Sequence, residues 1–144
     1  IKSLPAMNGE SRRAEAMKAE RGGYVVIENK DAKVTLIATG SEVSTLVEGA
    51  EILAAEGIAT RVVSIPSEGL FRDQPKEYQE SVLPSGARIF GLTAGLPVNL
   101  QGLVGCNGKV FGLESFGFSA PYKVLDEKLG FTAQNVYEQV KAML

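Results

Sequence analysis

The sequence predicts an α/β fold in three layers: a mostly parallel sheet of about five strands, flanked by helices on both faces. Three observations predict it. Five short runs rich in apolar and β-branched residues alternate with segments of helical period. One of them, Val34-Thr35-Leu36-Ile37-Ala38-Thr39, is nearly continuous in such residues, as a strand covered on both faces must be. The stretch from Val34 to Ile65 reads as strand, helix, strand, the unit that joins parallel neighbours through a right-handed crossover.

Taken in order, residues 1–21 read as a linker or arm and 22–144 as the domain. The first part is polar, with a turn signal at Asn8-Gly9, and the run from Glu10 to Arg21 carries few and small apolar residues, enough for a short surface helix at most. Gly22-Gly23 ends it. Tyr24-Val25-Val26-Ile27-Glu28 is the first strand and Asn29-Lys30-Asp31 the turn after it. After Val34–Thr39, Gly40 ends the second strand. Ser41 then stands at an N-cap position with Glu42 in the first turn, where a negative charge suits the helix dipole. Val43, Leu46, Val47, Ala50, Leu53 and Ala54 recur at helical spacing, and Gly57 closes the helix.

Thr60 to Ile65 is the third strand, closed by Pro66. A polar loop through Gly69 follows, with Leu70 and Phe71 expected as apolar anchors, and then a short helix from Gln74 to Leu83 stopped by Pro84. Ala87 to Thr93 is the fourth strand. Four glycines and a proline between Gly95 and Gly108 leave room for only a turn or two of helix, at Val98 to Val104. Lys109 to Leu113 is the fifth strand. Pro121 in a favoured first-turn position opens a helix to about Leu129, Gly130 interrupts it, and Thr132 caps a last helix with Val136, Val140 and Met143 or Leu144 on its apolar stripe.

Composition excludes several function classes. A length of 144 residues with 44% apolar content suits one core without disulfides or metal. The formal net charge of −2 offers no basic field for nucleic acid. No apolar run reaches the roughly 20 residues that span a bilayer, and the N-terminus has no signal-peptide pattern. Cys106 is the one cysteine, which suits a reducing compartment, with the cytoplasm as default. The chain has no histidine, so imidazole cannot serve as base, shuttle or metal ligand, and Cys/His zinc sites are excluded with it.

Among motifs, Thr39, Gly40 and Ser41 form a candidate anion-binding site. They lie at the carboxyl end of a strand and open a helix, where free backbone N–H groups receive anions in α/β sheets. Folding alone also accounts for them, because no GxGxxG or GK[ST] pattern accompanies them. Glu42, Glu48, Glu51 and Glu56 read as a solvated helix face, and Cys106 as a small packed or idle thiol. Arg12, Arg13, Lys18 and Arg21 read as a solvated arm. Ser115-Phe116-Gly117-Phe118-Ser119-Ala120-Pro121-Tyr122 is the densest aromatic segment, open to an interface, a substrate wall or a core plug. No catalytic, cofactor-binding or metal-binding residue is assigned.

In order, Arg21-Gly-Gly-Tyr-Val-Val, Leu36-Ile-Ala-Thr-Gly-Ser-Glu-Val, Arg61-Val-Val-Ser-Ile-Pro, Tyr78-Gln-Glu-Ser-Val-Leu-Pro, Phe116-Gly-Phe-Ser-Ala-Pro and Gly130-Phe-Thr-Ala-Gln-Asn-Val span nearly the whole chain. Together with Leu4-Pro5 at the start, they resemble the C-terminal domain of transketolase. The resemblance implies a homodimeric enzyme of the pentose phosphate pathway, moving a two-carbon ketol unit between sugar phosphates with thiamine diphosphate and a divalent cation (magnesium). In that family the N-terminal and middle domains of two subunits hold the cofactor, the metal ligands, the activating glutamate and the catalytic histidines. This chain would then be a noncatalytic domain or split subunit that supports assembly with those domains.

Two positions depart from the family pattern. Ile1-Lys2-Ser3 stands where an Arg that grips substrate phosphate precedes the Leu-Pro, which points toward a nonphosphorylated acceptor as in dihydroxyacetone synthase. Gly95 to Gln101 lacks an aromatic residue that many members carry. Pyruvate-type dehydrogenase β subunits and 1-deoxyxylulose-phosphate synthases share the architecture, and the Tyr78–Pro84 and Phe116–Pro121 segments favour transketolase over them. A small-anion or regulatory ligand-binding module at Thr39 to Glu42 is the alternative from another class.

Overall fold

Every predicted strand forms, and the five make one sheet. The computed structural model describes residues 12–144; Leu4-Pro5, Asn8-Gly9, the Ile1-Lys2-Ser3 departure and the start of the polar run lie outside the described residues. The strands are β1 (Tyr24–Ile27), β2 (Val34–Ala38), β3 (Thr60–Ser64), β4 (Ile89–Leu92) and β5 (Lys109–Phe111). Their order across the sheet is β1-β3-β2-β4-β5, with β1 antiparallel to β3 and all other pairs parallel. The helices are α1 (Arg12–Met17), α2 (Glu42–Ala55), α3 (Glu68–Arg72), α4 (Lys76–Val82), α5 (Val98–Val104), α6 (Tyr122–Leu129) and α7 (Ala133–Lys141). A 3-10 turn at Lys18–Arg21 follows α1.

Alternation along each strand divides the apolar residues between two cores, because successive side chains point to opposite faces. Val34, Leu36 and Ala38 of β2, Val62 of β3 and Phe90 and Leu92 of β4 join α2 and α7 on one face. Ile37, Val63, Ile65 and Ile89 join Phe71 of α3, Val82 of α4 and Leu100 and Val104 of α5 on the other. All five residues of β2 are buried, as its continuous apolar run predicts. A bulge in β1 between Val25 and Ile27 breaks the alternation, so that Val26 and Ile27 both pack into the α2–α7 core.

Three local expectations need correction. Ser41 precedes α2 but does not cap it with its side chain: its backbone is already helical (φ −65°, ψ −30°), and its hydroxyl donates to Glu42 Oε1 at 2.8 Å. A capping side chain needs an extended backbone to reach back to the first-turn amides. The loop after Pro66 contains a helix, α3, capped by Ser67, whose Oγ accepts from Leu70 N at 3.4 Å. Phe71 anchors it at 2% exposure while Leu70 stays half exposed, because one turn of helix can direct only one of two adjacent side chains inward. Thr132 does cap α7, accepting from Asn135 N at 3.2 Å with an extended backbone.

The arm is attached to the sheet by tight backbone contacts. Gly22 adopts φ +81°, and a Cβ there would stand 2.3 Å from Phe71 N and 2.4 Å from Ser67 O. Ser67 N donates to Gly22 O at 3.0 Å. Tyr78 of α4 donates its hydroxyl to Gly23 O at 2.8 Å, and the Arg21 guanidinium lies 4.7 Å from the Tyr78 ring centroid. Burial pushes the Tyr78 phenol above its ordinary range, with Arg21 and Lys18 opposing. Glu15 of α1 is itself buried and accepts from Lys18 Nζ at 3.2 Å.

Candidate functional site

The parallel strands end in one row: Ala38 pairs with Ser64 and with Leu92, and Leu92 with Phe111. In α/β sheets this carboxyl edge is where functional groups collect. Thr39, Gly40 and Ser41 lie on it, after β2. Gly40 takes φ +61°, and the Glu42 carboxylate lies beside it, 4.0 Å from where a Gly40 Cβ would be. Ser44 Oγ donates to Ser41 O at 2.8 Å. The hydroxyl of Ser41 is thus engaged by its own turn, Val43 N and Ser44 N donate to Gly40 O at 3.4 Å and Ser41 O at 3.1 Å, and the Glu42 carboxylate is the charge beside the turn.

The aromatic segment lies on the same edge, after β5, and it is not a core plug. Phe116 is fully exposed, Tyr122 is 66% exposed and Phe118 45%. Phe118 folds back toward α6, where Lys128 Nζ lies 5.6 Å from its ring centroid. The loop after β4 is its neighbour: Leu113 N donates to Gly95 O at 2.9 Å, and a Cβ on Gly112 would stand 2.7 Å from that oxygen. Leu96 on that loop and Val98 at the start of α5 are 55% and 70% exposed. Sequence alone reveals the aromatic density of 115–122 but neither its exposure nor that the loop carrying Leu96 adjoins the one after β5, which depends on the pairing of β4 with β5.

The opposite edge is polar. A shallow cleft of about 460 Å³ there is lined by Glu28, Lys30, Thr35, Arg61 and Ser85 among others. Arg61 pairs with Glu28 Oε2 at 2.8 Å and donates to the Ser81 carbonyl, while its Nε is buried without a hydrogen-bond partner. A second cleft of about 520 Å³ includes Arg88, Cys106 and Lys109. Cys106 is exposed, with Asn107 Oδ1 3.7 Å from its sulfur. Both clefts are open, and the one hydroxyl in them described as meeting a carboxylate, that of Ser85, donates to Glu80 together with its own backbone amide.

Elsewhere, ionisable residues tie elements together. Glu56, just after α2, accepts from Tyr137 Oη at 2.6 Å and from Lys141 Nζ at 2.7 Å, both on α7. The lysine bond, ahead of the tyrosine bond, holds the Glu56 carboxyl below its ordinary range and the Lys141 ammonium above its own. Glu80 is likewise held down by hydrogen bonds from the Ser85 hydroxyl and backbone. Glu48 and Glu51 are exposed on α2. Among the described residues no three His, Cys, Asp or Glu side chains converge as metal ligands would. No helix among them is long and apolar enough to cross a membrane.

Comparison with known proteins gives this architecture its family. A model of the transketolase-like TK C-terminal domain matches residues 22–132. Transketolase 1 of Pasteurella multocida is 44% identical over 129 residues, which make up 86% of this chain and 19% of that protein. The transketolase of Staphylococcus epidermidis is 36% identical over 143 residues, 98% of this chain and 22% of its own length. Among solved structures, the transketolase of Campylobacter jejuni superposes with a TM-score of 0.82 at 33% identity, over 99% of this chain and 21% of that one. An inactive β4 tetramer of a split-gene transketolase superposes with a TM-score of 0.68 at 27% identity, over 87% of this chain and 43% of that one. The chain thus spans about a fifth of the length of the curated relatives it matches, and it belongs to the transketolase-like C-terminal domain family.

Proposed function

We propose that this chain is the C-terminal module of a transketolase-type enzyme, which transfers a two-carbon ketol unit between sugar phosphates in the cytoplasm. The observation that carries the proposal is the family match across 22–132 in a chain about one fifth as long as its relatives. Thiamine diphosphate and a divalent cation would be held by the thiamine-binding domains outside this sequence. The carboxylates described here are spread over exposed helix faces or engaged in local pairs, which does not fit a cation and its diphosphate. The role left to these residues is assembly: holding those domains, and through them a homodimer, in a working arrangement.

The test is an assay of ketol transfer from a ketose phosphate to an aldose phosphate, with thiamine diphosphate and Mg²⁺ supplied. The chain alone is expected to give no turnover, and combination with the thiamine-binding polypeptide to give turnover. Turnover by the chain alone would overturn the proposal. Including a nonphosphorylated aldehyde among the acceptors separates a transketolase from a dihydroxyacetone-synthase-like enzyme.

A further inference from the structure

The carboxyl edge of the sheet carries exposed apolar side chains that none of the described residues covers. Leu96, Phe116 and Phe118 on the loops after β4 and β5, and Val98 and Tyr122 at the starts of the helices that follow them, are all exposed, and the two loops are joined by the Leu113 N to Gly95 O bond. Burying one such side chain fully is worth roughly 1.5–3 kcal/mol. Large aromatics left in water on adjoining loops are the usual mark of a surface meant for a partner.

The path of the chain indicates which partner. Because β1 is antiparallel, it enters the sheet at this same edge: Tyr24 pairs with Ser64, the residue in the terminal row beside Ala38. Gly22, which follows residues 12–21, packs there too, against Phe71 N and Ser67 O. In a longer polypeptide of this family, whatever precedes the module is therefore tethered at the same end of the sheet as the apolar loops, at the β1 flank, with β3 and β2 between it and β4 and β5. A short tether raises the effective concentration of the preceding domain to the millimolar range and so favours contact with this edge over any free partner.

We infer that the edge formed by the β4–α5 loop and the β5–α6 segment is the docking surface for the thiamine-binding portion of the enzyme, with Phe116 as its central anchor. This rests on the function proposed above and adds the face and the residues. Aromatic anchors at the centre of an interface dominate its affinity, and loss of one costs about 30-fold or more. The opposite edge, with Lys30 and Lys109, takes no part.

The test titrates this chain, fluorescently labelled at Cys106 away from the apolar edge, with a transketolase-type polypeptide truncated before the segment that this chain matches. Wild type, Phe116→Asp, Val98→Asp and Lys30→Ala are compared, with circular dichroism and melting temperature as checks on folding. Phe116 and Val98 are exposed, so their variants are expected to melt like wild type. Binding by wild type and Lys30→Ala, weakened about 30-fold or more in Phe116→Asp and clearly in Val98→Asp, supports the inference. Wild-type binding unchanged in both aspartate variants overturns it while leaving the proposed function standing. No binding by wild type overturns both. Self-association of the chain, abolished by Phe116→Asp without effect on partner binding, assigns the surface to a second copy and also overturns the inference.

Discussion

Val136 on α7 fills the space that Gly49 on α2 leaves: a Cβ on Gly49 would stand 2.6 Å from Val136 Cγ1 and 2.9 Å from its Cβ. Glycine inside a helix costs about 1 kcal/mol relative to alanine. Here that cost allows the two helices to meet over one of the main cores, where Val136 is fully buried. Gly49→Ala gains the helical propensity but overpacks the contact, at about 1–3 kcal/mol. The expected net result is a loss of about 1 kcal/mol in urea denaturation. Val136→Ala alone should cost about 2 kcal/mol by leaving a cavity. The double variant should be more stable than the sum of the two predicts. Additive losses would show that Val136 does not oppose the added methyl.

Gly22 permits a sharper test of how the arm is attached. Its φ of +81° disfavours any side chain, and the atoms that a Cβ would meet are backbone atoms of Ser67 and Phe71, which have little freedom to move aside. Gly22→Ala should therefore lower stability by more than about 2 kcal/mol. Gly57, also at positive φ (+74°) but with nothing within 4 Å of a Cβ, is the control. Gly57→Ala should cost about 1 kcal/mol, the backbone strain alone. Equal losses at the two sites in thermal or urea melts would count against the close packing of the arm.

Tyr78 gives a prediction in pH. Its hydroxyl donates to Gly23 O, and burial raises its pKa above the ordinary value of 10.0. Below pH 10 both the folded and unfolded forms carry the proton. As pH rises past 10, the unfolded chain ionises first and the stability contributed by Tyr78 declines, until it is lost as pH passes the folded value. Tyr78→Phe should cost about 1 kcal/mol at neutral pH through the lost hydrogen bond. The gap between the two proteins should then narrow above pH 10. A gap that stays constant from pH 8 to pH 11 would mean that the phenol is not protected by the fold.

The strands were legible because β2 and its neighbours are buried on both faces, and burial on both faces writes itself as continuous apolar runs. What lay beyond the sequence was mostly a matter of pairing. Nothing in Tyr24–Ile27 says that this strand runs antiparallel beside β3, yet that direction places the arm at the carboxyl edge. Helix α3 escaped because its five residues are too few for a period, although Ser67 followed by Glu68 is a start signal. The exposure of Phe116 was equally hidden: an aromatic residue between glycine and serine has the same composition in a core plug as on a docking surface. Only the ending of β5 at Phe111, with the following segment held against Gly95, separates them.

Two helix starts that look alike in sequence should respond differently to alanine. Thr132 has an extended backbone and accepts from Asn135 N, satisfying one of the four amides that a helix leaves unpaired at its start. Ser41 has a helical backbone and gives its hydroxyl to Glu42 instead. Thr132→Ala should thus cost about 1 kcal/mol, whereas Ser41→Ala should stay within about 0.5 kcal/mol of wild type. The same pair of variants bears on the candidate anion site at Thr39, Gly40 and Ser41. An anion received there would have to displace or neutralise the Glu42 carboxylate that lies beside Gly40. Titration with inorganic phosphate, followed by the amide resonances of Gly40 to Val43, is expected to move none of them in wild type and to move them in Glu42→Gln. Saturable shifts in wild type at low millimolar phosphate would instead establish an anion site in spite of that carboxylate.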